Sequence, residues 1–306
     1  MDSIGIDIGG TFVKGVGAGP DGVIKARDSM RRPTNPEEML DAVSALARSL
    51  MGSARLAVGV GIAGLVRWPD GVFVWGPHVQ GVDLPIRSRL EQDLGVAVVV
   101  DNDANCAALA EANLGAATGI SDALVLTLGT GIGSGIIARG EIYRGGSFAG
   151  EAGHMMMAQE GEPCPCGRRG CWETLVSGRR LDRDAVALVR SMPTGILAGI
   201  SGTATPTARH LTEAAGAGDY SAKAAIADAG RWLGRGLANL VALLDPELIV
   251  IGGAVSGAGN YLLGPARLEM GRVLEGAAYR NPVPIELATT GPLAGALGAS
   301  LLARAT

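Results

Sequence analysis

Three cysteines fall within one eight-residue stretch, Cys164-Pro165-Cys166-Gly167-Arg168-Arg169-Gly170-Cys171, and His154 stands ten residues before the first of them. Thiolate and imidazole are the donors that Zn2+ prefers, and a Cys-x-Cys pair followed by a third Cys can surround one tetrahedral ion. His154 completes a Cys3His set. With all four positions filled by protein, none is left for a reactive water, so the expected zinc is structural and a zinc hydrolase is disfavoured. Three incidental reduced thiols are the alternative. Cys106 stands apart in an apolar helical stretch and reads as a core thiol, while His78 and His210 lack metal spacing.

Gly9-Gly10-Thr11 follows a strand that ends in Asp7-Ile8. It is neither GxxxxGK[ST] nor GxGxxG. Such a turn can still aim backbone N–H groups at phosphate, with Asp7 reaching Mg2+ directly or through water, Thr11 donating its hydroxyl and Lys14 supplying charge. A plain hairpin with Asp7 as turn acceptor is the alternative. Gly129-Thr130-Gly131 is a second turn of this kind, and Gly252-Gly253 a third at a strand end, where ligands often meet α/β sheets.

Asp101-Asn102-Asp103-Ala104-Asn105 lies at a strand-to-helix junction. A helix cap explains one of these four polar residues but not all of them. A carboxylate here can accept the proton of a substrate hydroxyl during phosphoryl transfer, and Asp103 is the candidate base. Glu151, His154 and Glu173 flank the cysteine cluster and offer the convergent polar groups that polyols require. For Glu151 an exposed polar loop is the alternative.

These groups need a frame of strands and helices. Period-two alternation predicts a strand over 3–8, and further strands are expected over 12–17, 23–26, 57–62, 96–100, 124–128, 248–251 and 285–288. Helices are expected over 35–49, 84–94, 101–113, 181–190, 207–215, 221–243, 265–276 and 293–303, with loop dominating 145–173. The strand–glycine turn–strand of residues 7–17 recurs weakly around 127–138. The chain has 306 residues, enough for two domains, with 48 glycines, 4% aromatics and a formal charge of -4. No basic stripe interleaves with aromatics, so nucleic acid is not an expected partner. The most apolar run, 237–250, is broken by Asn239, Asp245 and Glu247, which argues against a membrane span. No secretory signal pattern is visible, and a cytoplasmic location is expected.

Together these motifs resemble the ROK family of repressors and sugar kinases along essentially the whole chain. Asp7-Ile8-Gly9-Gly10-Thr11 and Gly129-Thr130-Gly131 are similar to its two phosphate motifs, and Gly252-Gly253 to its adenosine-side turn. Gly150-Glu151-Ala152-Gly153-His154 with Cys164-x-Cys166-Gly167-x-x-Gly170-Cys171-x-Glu173 is similar to its zinc-bearing signature. The resemblance implies the α/β actin-like ATPase fold of hexokinases and Hsp70, with mixed sheets around a central cleft. The expected domains are 1–108 with 292–306, and 109–291 carrying the zinc loop 154–173. It implies ATP, Mg2+ and structural Zn2+, a homodimer or homotetramer, and a sugar held by Gly64, His78, Asn102, Asp103, Glu151, His154 and Glu173. His154 would serve zinc with one ring nitrogen and a sugar hydroxyl with the other. The phosphate strand begins at residue 3, so the helix-turn-helix of the family's repressors is not expected.

One position departs from the pattern. Glucokinases of the family carry an Asn where Trp75-Gly76-Pro77-His78-Val79-Gln80-Gly81 presents His78. The reaction expected is phosphorylation of a hexose hydroxyl, the 6-position of glucose or a relative, with Asp103 as base. The substituted loop also admits an amino sugar such as kanosamine or N-acetylmannosamine, fructose or a cyclitol. A non-catalytic sugar sensor of the same fold is the reading from another class.

Overall fold

The computed structural model describes residues 1–305. In chain order it contains β1 (Ser3–Ile8), β2 (Phe12–Ala18), β3 (Ile24–Arg31), α1 (Pro36–Met51), β4 (Ala57–Ile62), β5 (Leu65–Arg67), β6 (Val72–Trp75), α2 (Ile86–Leu94), β7 (Val98–Asn102) and α3 (Asp103–Leu114). There follow β8 (Ala123–Leu128), β9 (Ile132–Ala138), β10 (Glu141–Ile142), α4 (Glu173–Val176), α5 (Gly178–Ser191), α6 (Ile196–Ser201), α7 (Ala208–Gly216) and α8 (Tyr220–Leu244). The chain closes with β11 (Leu248–Gly252), α9 (Asn260–Val273), β12 (Ile285–Leu287) and α10 (Ala294–Leu302).

Two compact units result. One holds Met1–Val125, Ser134–Glu151 and the segment from Ala288 onward; the other holds Leu126–Gly133 and Ala152–Leu287. The break expected after residue 108 would cut α3, which instead packs along α10, so the first unit runs on to Val125. One five-stranded sheet is ordered β3-β2-β1-β4-β7 and the other β10-β9-β8-β11-β12. In both, the order is third, second, first, fourth and fifth strand of the set, which gives the weak sequence echo a topological basis. The first sheet is mixed: β1–β2 and β2–β3 are antiparallel, while β1–β4 and β4–β7 are parallel.

The alternation of β1 has a structural cause. Ile4, Ile6 and Ile8 are fully buried in a cluster with Met39, Val43 and Ala47 of α1. The opposite face carries Ser3, Gly5 and Asp7, and α10 lies directly on it. A Cβ at Gly5 would run into the Ala296 carbonyl, and one at Gly59 of β4 into the Ala299 carbonyl. A Cβ at Gly61 would sit 3.3 Å from the Cα of Asp103, and one at Gly298 would enter the Cys106 backbone. Missing side chains thus let α3 and α10 lie against the sheet and each other at backbone distance, a use of glycine beyond turns.

Several boundaries differ from expectation. The α9 helix starts at Asn260 and contains Pro265 rather than beginning with it. Pro265 falls in the second turn, where the missing N–H costs one hydrogen bond and a local adjustment. The short β5–β6 hairpin and α6 lack the length that periodicity needs. Asn35 caps α1, accepting the N–H groups of Glu37 and Glu38. Among the described residues no helix is long and apolar enough to cross a membrane. Gly59→Ala should cost roughly 1–3 kcal/mol through overpacking and lower the melting temperature by several degrees; an unchanged melting curve would refute backbone-distance packing there.

Candidate active site

The β7–α3 junction positions the candidate base. Asn102 is the cap: its side-chain oxygen accepts the N–H groups of Ala104 at 2.8 Å and Asn105 at 3.1 Å, and its amide donates to the Gly64 carbonyl at 3.1 Å. Asn102 and Gly64, both expected at the sugar, are therefore joined by a hydrogen bond. Asp103 follows as the first helical residue and also accepts the Ala104 N–H, at 2.9 Å. Burial raises its carboxyl from 3.8 to about 7, Asp7 and Glu151 add to the rise, and the Ala104 N–H opposes it. Burial likewise raises Asp7 to about 6, opposed by Lys14. Both residues keep part of their surface open, so a ligand can reach carboxyls that bulk water serves poorly.

A second layer fixes this junction. Asp101 is buried, pairs with Arg144 at 2.8 Å and accepts the Asn105 amide at 3.0 Å. The Arg144 guanidinium lies 3.9 Å from the centre of the Trp68 ring, and Ser147 Oγ accepts the Trp68 N–H at 3.2 Å. Gly150, at a positive φ of 96°, lets the chain pass Ser134 before Glu151; any Cβ would meet the Ser134 carbonyl at 2.7 Å. Of the four polar residues at the junction, one caps, one is the candidate base and two belong to the Arg144 network.

The first glycine turn sits beneath the His78 loop. Arg32 donates to the Gly10 carbonyl at 3.0 Å and to the His78 carbonyl at 2.8 Å, and a Cβ on Gly10 would lie 3.7 Å from His78 Cβ. The loop therefore packs inward, with Val79 buried. Burial lowers the Arg32 guanidinium. Sequence reasoning missed Arg32 and Arg144, because neither falls in a motif and their partners are distant in the chain. Thr11 is exposed next to Gly9 and Gly10. Lys14 pairs in register with Asp7, but its ammonium donates to the Pro292 carbonyl at 3.1 Å. Asp7 lies at the start of α10, where a Cβ on Gly295 would be 2.9 Å from its carboxyl carbon.

In the second unit the Gly129-Thr130-Gly131 turn closes with the Gly129 N–H donating to the Gly131 carbonyl at 3.0 Å. Gly178, at the start of α5, donates to the Gly129 carbonyl at 2.8 Å. Gly253, at φ 84°, abuts the backbone of Leu128, and Gly252 ends β11. The second and third glycine turns thus adjoin.

The metal set assembles as expected. Donor atoms of His154, Cys164, Cys166 and Cys171 all lie within 4.8 Å of one another. Cys166 and Cys171 sulfurs are 3.6 Å apart, and Cys164 Sγ is 3.6 Å from His154 Nδ1. Zn–S bonds of ~2.3 Å give tetrahedral edges of roughly 3.8 Å, so the donor set fits one ion with no open position. Burial, with a hydrogen bond to Glu173, pushes the Cys164 thiol up, so metal loading would release protons. Cys106 is a buried core thiol, and His210 is used in the capping box of α7.

Sequence and structure comparisons place the chain in a known family. The ROK family profile matches residues 3–306. The chain is 36% identical over 309 residues to the glucokinase of Streptomyces coelicolor, covering 99% of this chain and 97% of that protein. It is 35% identical over 311 residues to an N-acetylmannosamine kinase of Escherichia coli, covering 99% of both. The crystal structure of a ROK family glucokinase from Streptomyces griseus, in complex with glucose and AMPPNP, superposes with a TM-score of 0.92 at 36% identity over 99% of both chains. The fold is therefore the α/β actin/hexokinase type with two mixed-sheet domains. The chain belongs to the ROK family and is an ATP-dependent sugar kinase acting on a hexose-type substrate.

Cys166→Ser should lower bound zinc well below one ion per chain and increase proteolysis within 154–173, measured by metal analysis and limited digestion. Full metal content would contradict the four-ligand set.

Proposed function

We propose that the chain transfers the γ-phosphoryl group of ATP to the 6-hydroxyl of glucose or a closely related hexose, with Asp103 as general base. The observation that carries this reading is the placement of the Asp103 carboxyl at an Asn102-capped helix start, where burial raises it to about 7. A base poised near neutral pH is available as the carboxylate and still basic enough to take a hydroxyl proton. The substrate O6 attacks γ-phosphorus, its proton passes to Asp103, and the bond to the bridging oxygen breaks to leave ADP. Positioning and charge neutralisation supply most of the acceleration.

Further roles are assigned by chemistry. Asn102, Gly64, His78, Glu151, His154 and Glu173 take sugar hydroxyls, and Thr11, Gly9, Gly10 and the Gly129–Gly131 turn take phosphate oxygens. Gly252 and Gly253 face the nucleoside. Asp7, a half-buried carboxylate opposed by Lys14, suits Mg2+ directly or through water. Zinc in the Cys3His set supplies no bond-making step; it shapes the loop that carries His154. The structure of the Streptomyces griseus relative holds glucose and AMPPNP together, which supports both the donor and the hexose.

A second reading is an N-acetylmannosamine or other amino-sugar kinase. His78, packed over the first glycine turn by Arg32, favours it, as does the Escherichia coli relative. Coupled ADP release over glucose, N-acetylmannosamine, a 3-amino hexose, fructose and cyclitols decides between them. Glucose should give the highest kcat/KM, and a higher value for an amino sugar would move the assignment. Asp103→Asn should retain zinc and lose about a thousandfold or more in kcat; wild-type turnover in that variant would remove Asp103 from the role. Absence of sugar-dependent ADP release would favour the sensor.

A further inference from the structure

Glu173 stands two residues beyond Cys171 and opens α4. Its carboxylate is buried, and both oxygens are engaged. Oε1 accepts from Cys164 Sγ at 2.9 Å and lies 3.9 Å from His154 Nδ1. Oε2 accepts the backbone N–H of Ile132 at 3.4 Å. That same oxygen occupies the space a side chain at Gly131 would need. One carboxylate therefore touches the metal cluster through one oxygen and the second glycine turn through the other.

Its neighbours leave it little freedom. Cys171 and Trp172 are fully buried. The Trp172 indole donates to the Trp232 carbonyl at 2.9 Å, and its backbone N–H donates to Met155 at 2.8 Å. The Thr174 hydroxyl donates to the Cys171 carbonyl at 2.7 Å. A glycine-rich turn has much conformational freedom to lose, and a bond from its backbone to a fixed carboxylate is charge-assisted.

We propose that Glu173 is a positioning residue for the nucleotide. It holds the turn at residues 129–133 in its phosphate-receiving shape, and the ligand Cys171, two residues earlier on a fully buried stretch, in turn anchors Glu173. This rests on the reading of that turn as a phosphate motif and goes beyond a sugar contact. The Cys164 thiol gives up its bond to Glu173 on becoming a metal-bound thiolate, so the lasting link is the buried chain from Cys171 to Glu173, through which zinc loading and nucleotide affinity are thermodynamically coupled, each strengthening the other.

Binding of Mg–AMPPNP is measured by calorimetry without sugar, so that any sugar contact of Glu173 drops out. Glu173→Gln keeps its zinc, binds AMPPNP roughly five- to tenfold more weakly, and exchanges amide hydrogens faster over 129–133. Wild-type protein stripped with a chelator shows the same two changes, and both reverse when Zn2+ is restored. Unchanged nucleotide affinity and exchange in a zinc-retaining Glu173→Gln overturns the proposal, even if sugar affinity falls. If that variant loses zinc or does not fold, stripped and reloaded wild type decides, and unchanged exchange over 129–133 overturns it. Failure of wild type to bind AMPPNP at all overturns the nucleotide reading on which the proposal rests.

Discussion

At the start of α3 a carboxylate is held where burial limits water and two further carboxylates act on it. Burial and the nearby carboxylates of Asp7 and Glu151 push Asp103 up to about 7. Much of the first unit serves this placement. Glycines on β1 and β4 let α10 and α3 lie at backbone distance from the strands, and the Gly61 contact brings β4 up to the Cα of Asp103. Asn102 satisfies the helix N–H groups, so Asp103 is not consumed as the cap. Asp101 is neutralised from the other side by Arg144 stacked on Trp68. The junction is thus fixed by hydrogen bonds while its second carboxylate, Asp103, stays uncompensated.

The two glycine turns are each braced by one charged side chain from elsewhere in their own unit. Arg32 donates to carbonyls of Gly10 and His78, tying the first turn to the loop that departs from the glucokinase pattern. Glu173 accepts from the second turn and reaches the cysteine cluster. Glycines permit the close approach of phosphate but do not by themselves hold a shape. The bracing group supplies the shape, and in both cases it also contacts a segment assigned to the sugar. In this account, donor and acceptor recognition are linked by shared side chains within each unit.

Much of this was legible in the sequence where chemistry and period were local. The alternation of 3–8, the helix over 35–49 and the Cys3His spacing each depend on residues close together in the chain. The metal set assembled as its spacing implied. The Asp101–Asn105 run was recognised as more than a cap, though which residue capped required coordinates. Arg32 and Arg144 were invisible, because the carbonyl or carboxylate each serves is set by tertiary packing rather than by spacing. The domain boundary was misplaced for a related reason: α3 follows its strand into the first unit because small residues let it pack on α10, an element nearly two hundred residues later. Pro265 misled through a sound rule, since proline favours a first turn but is tolerated a little further in.

The central claim is that burial tunes Asp103 for proton transfer near neutrality, and the pH dependence of kcat/KM for the preferred sugar tests it most directly. This quantity reports the ionisation of the free enzyme, and the base acts only when deprotonated. Measured from about pH 5 to about pH 9, kcat/KM should rise with pH along an acid limb whose midpoint lies near 7 and level off above it. A profile already flat at the low end of that range, as expected for a carboxyl at its ordinary value of 3.8, would contradict the account.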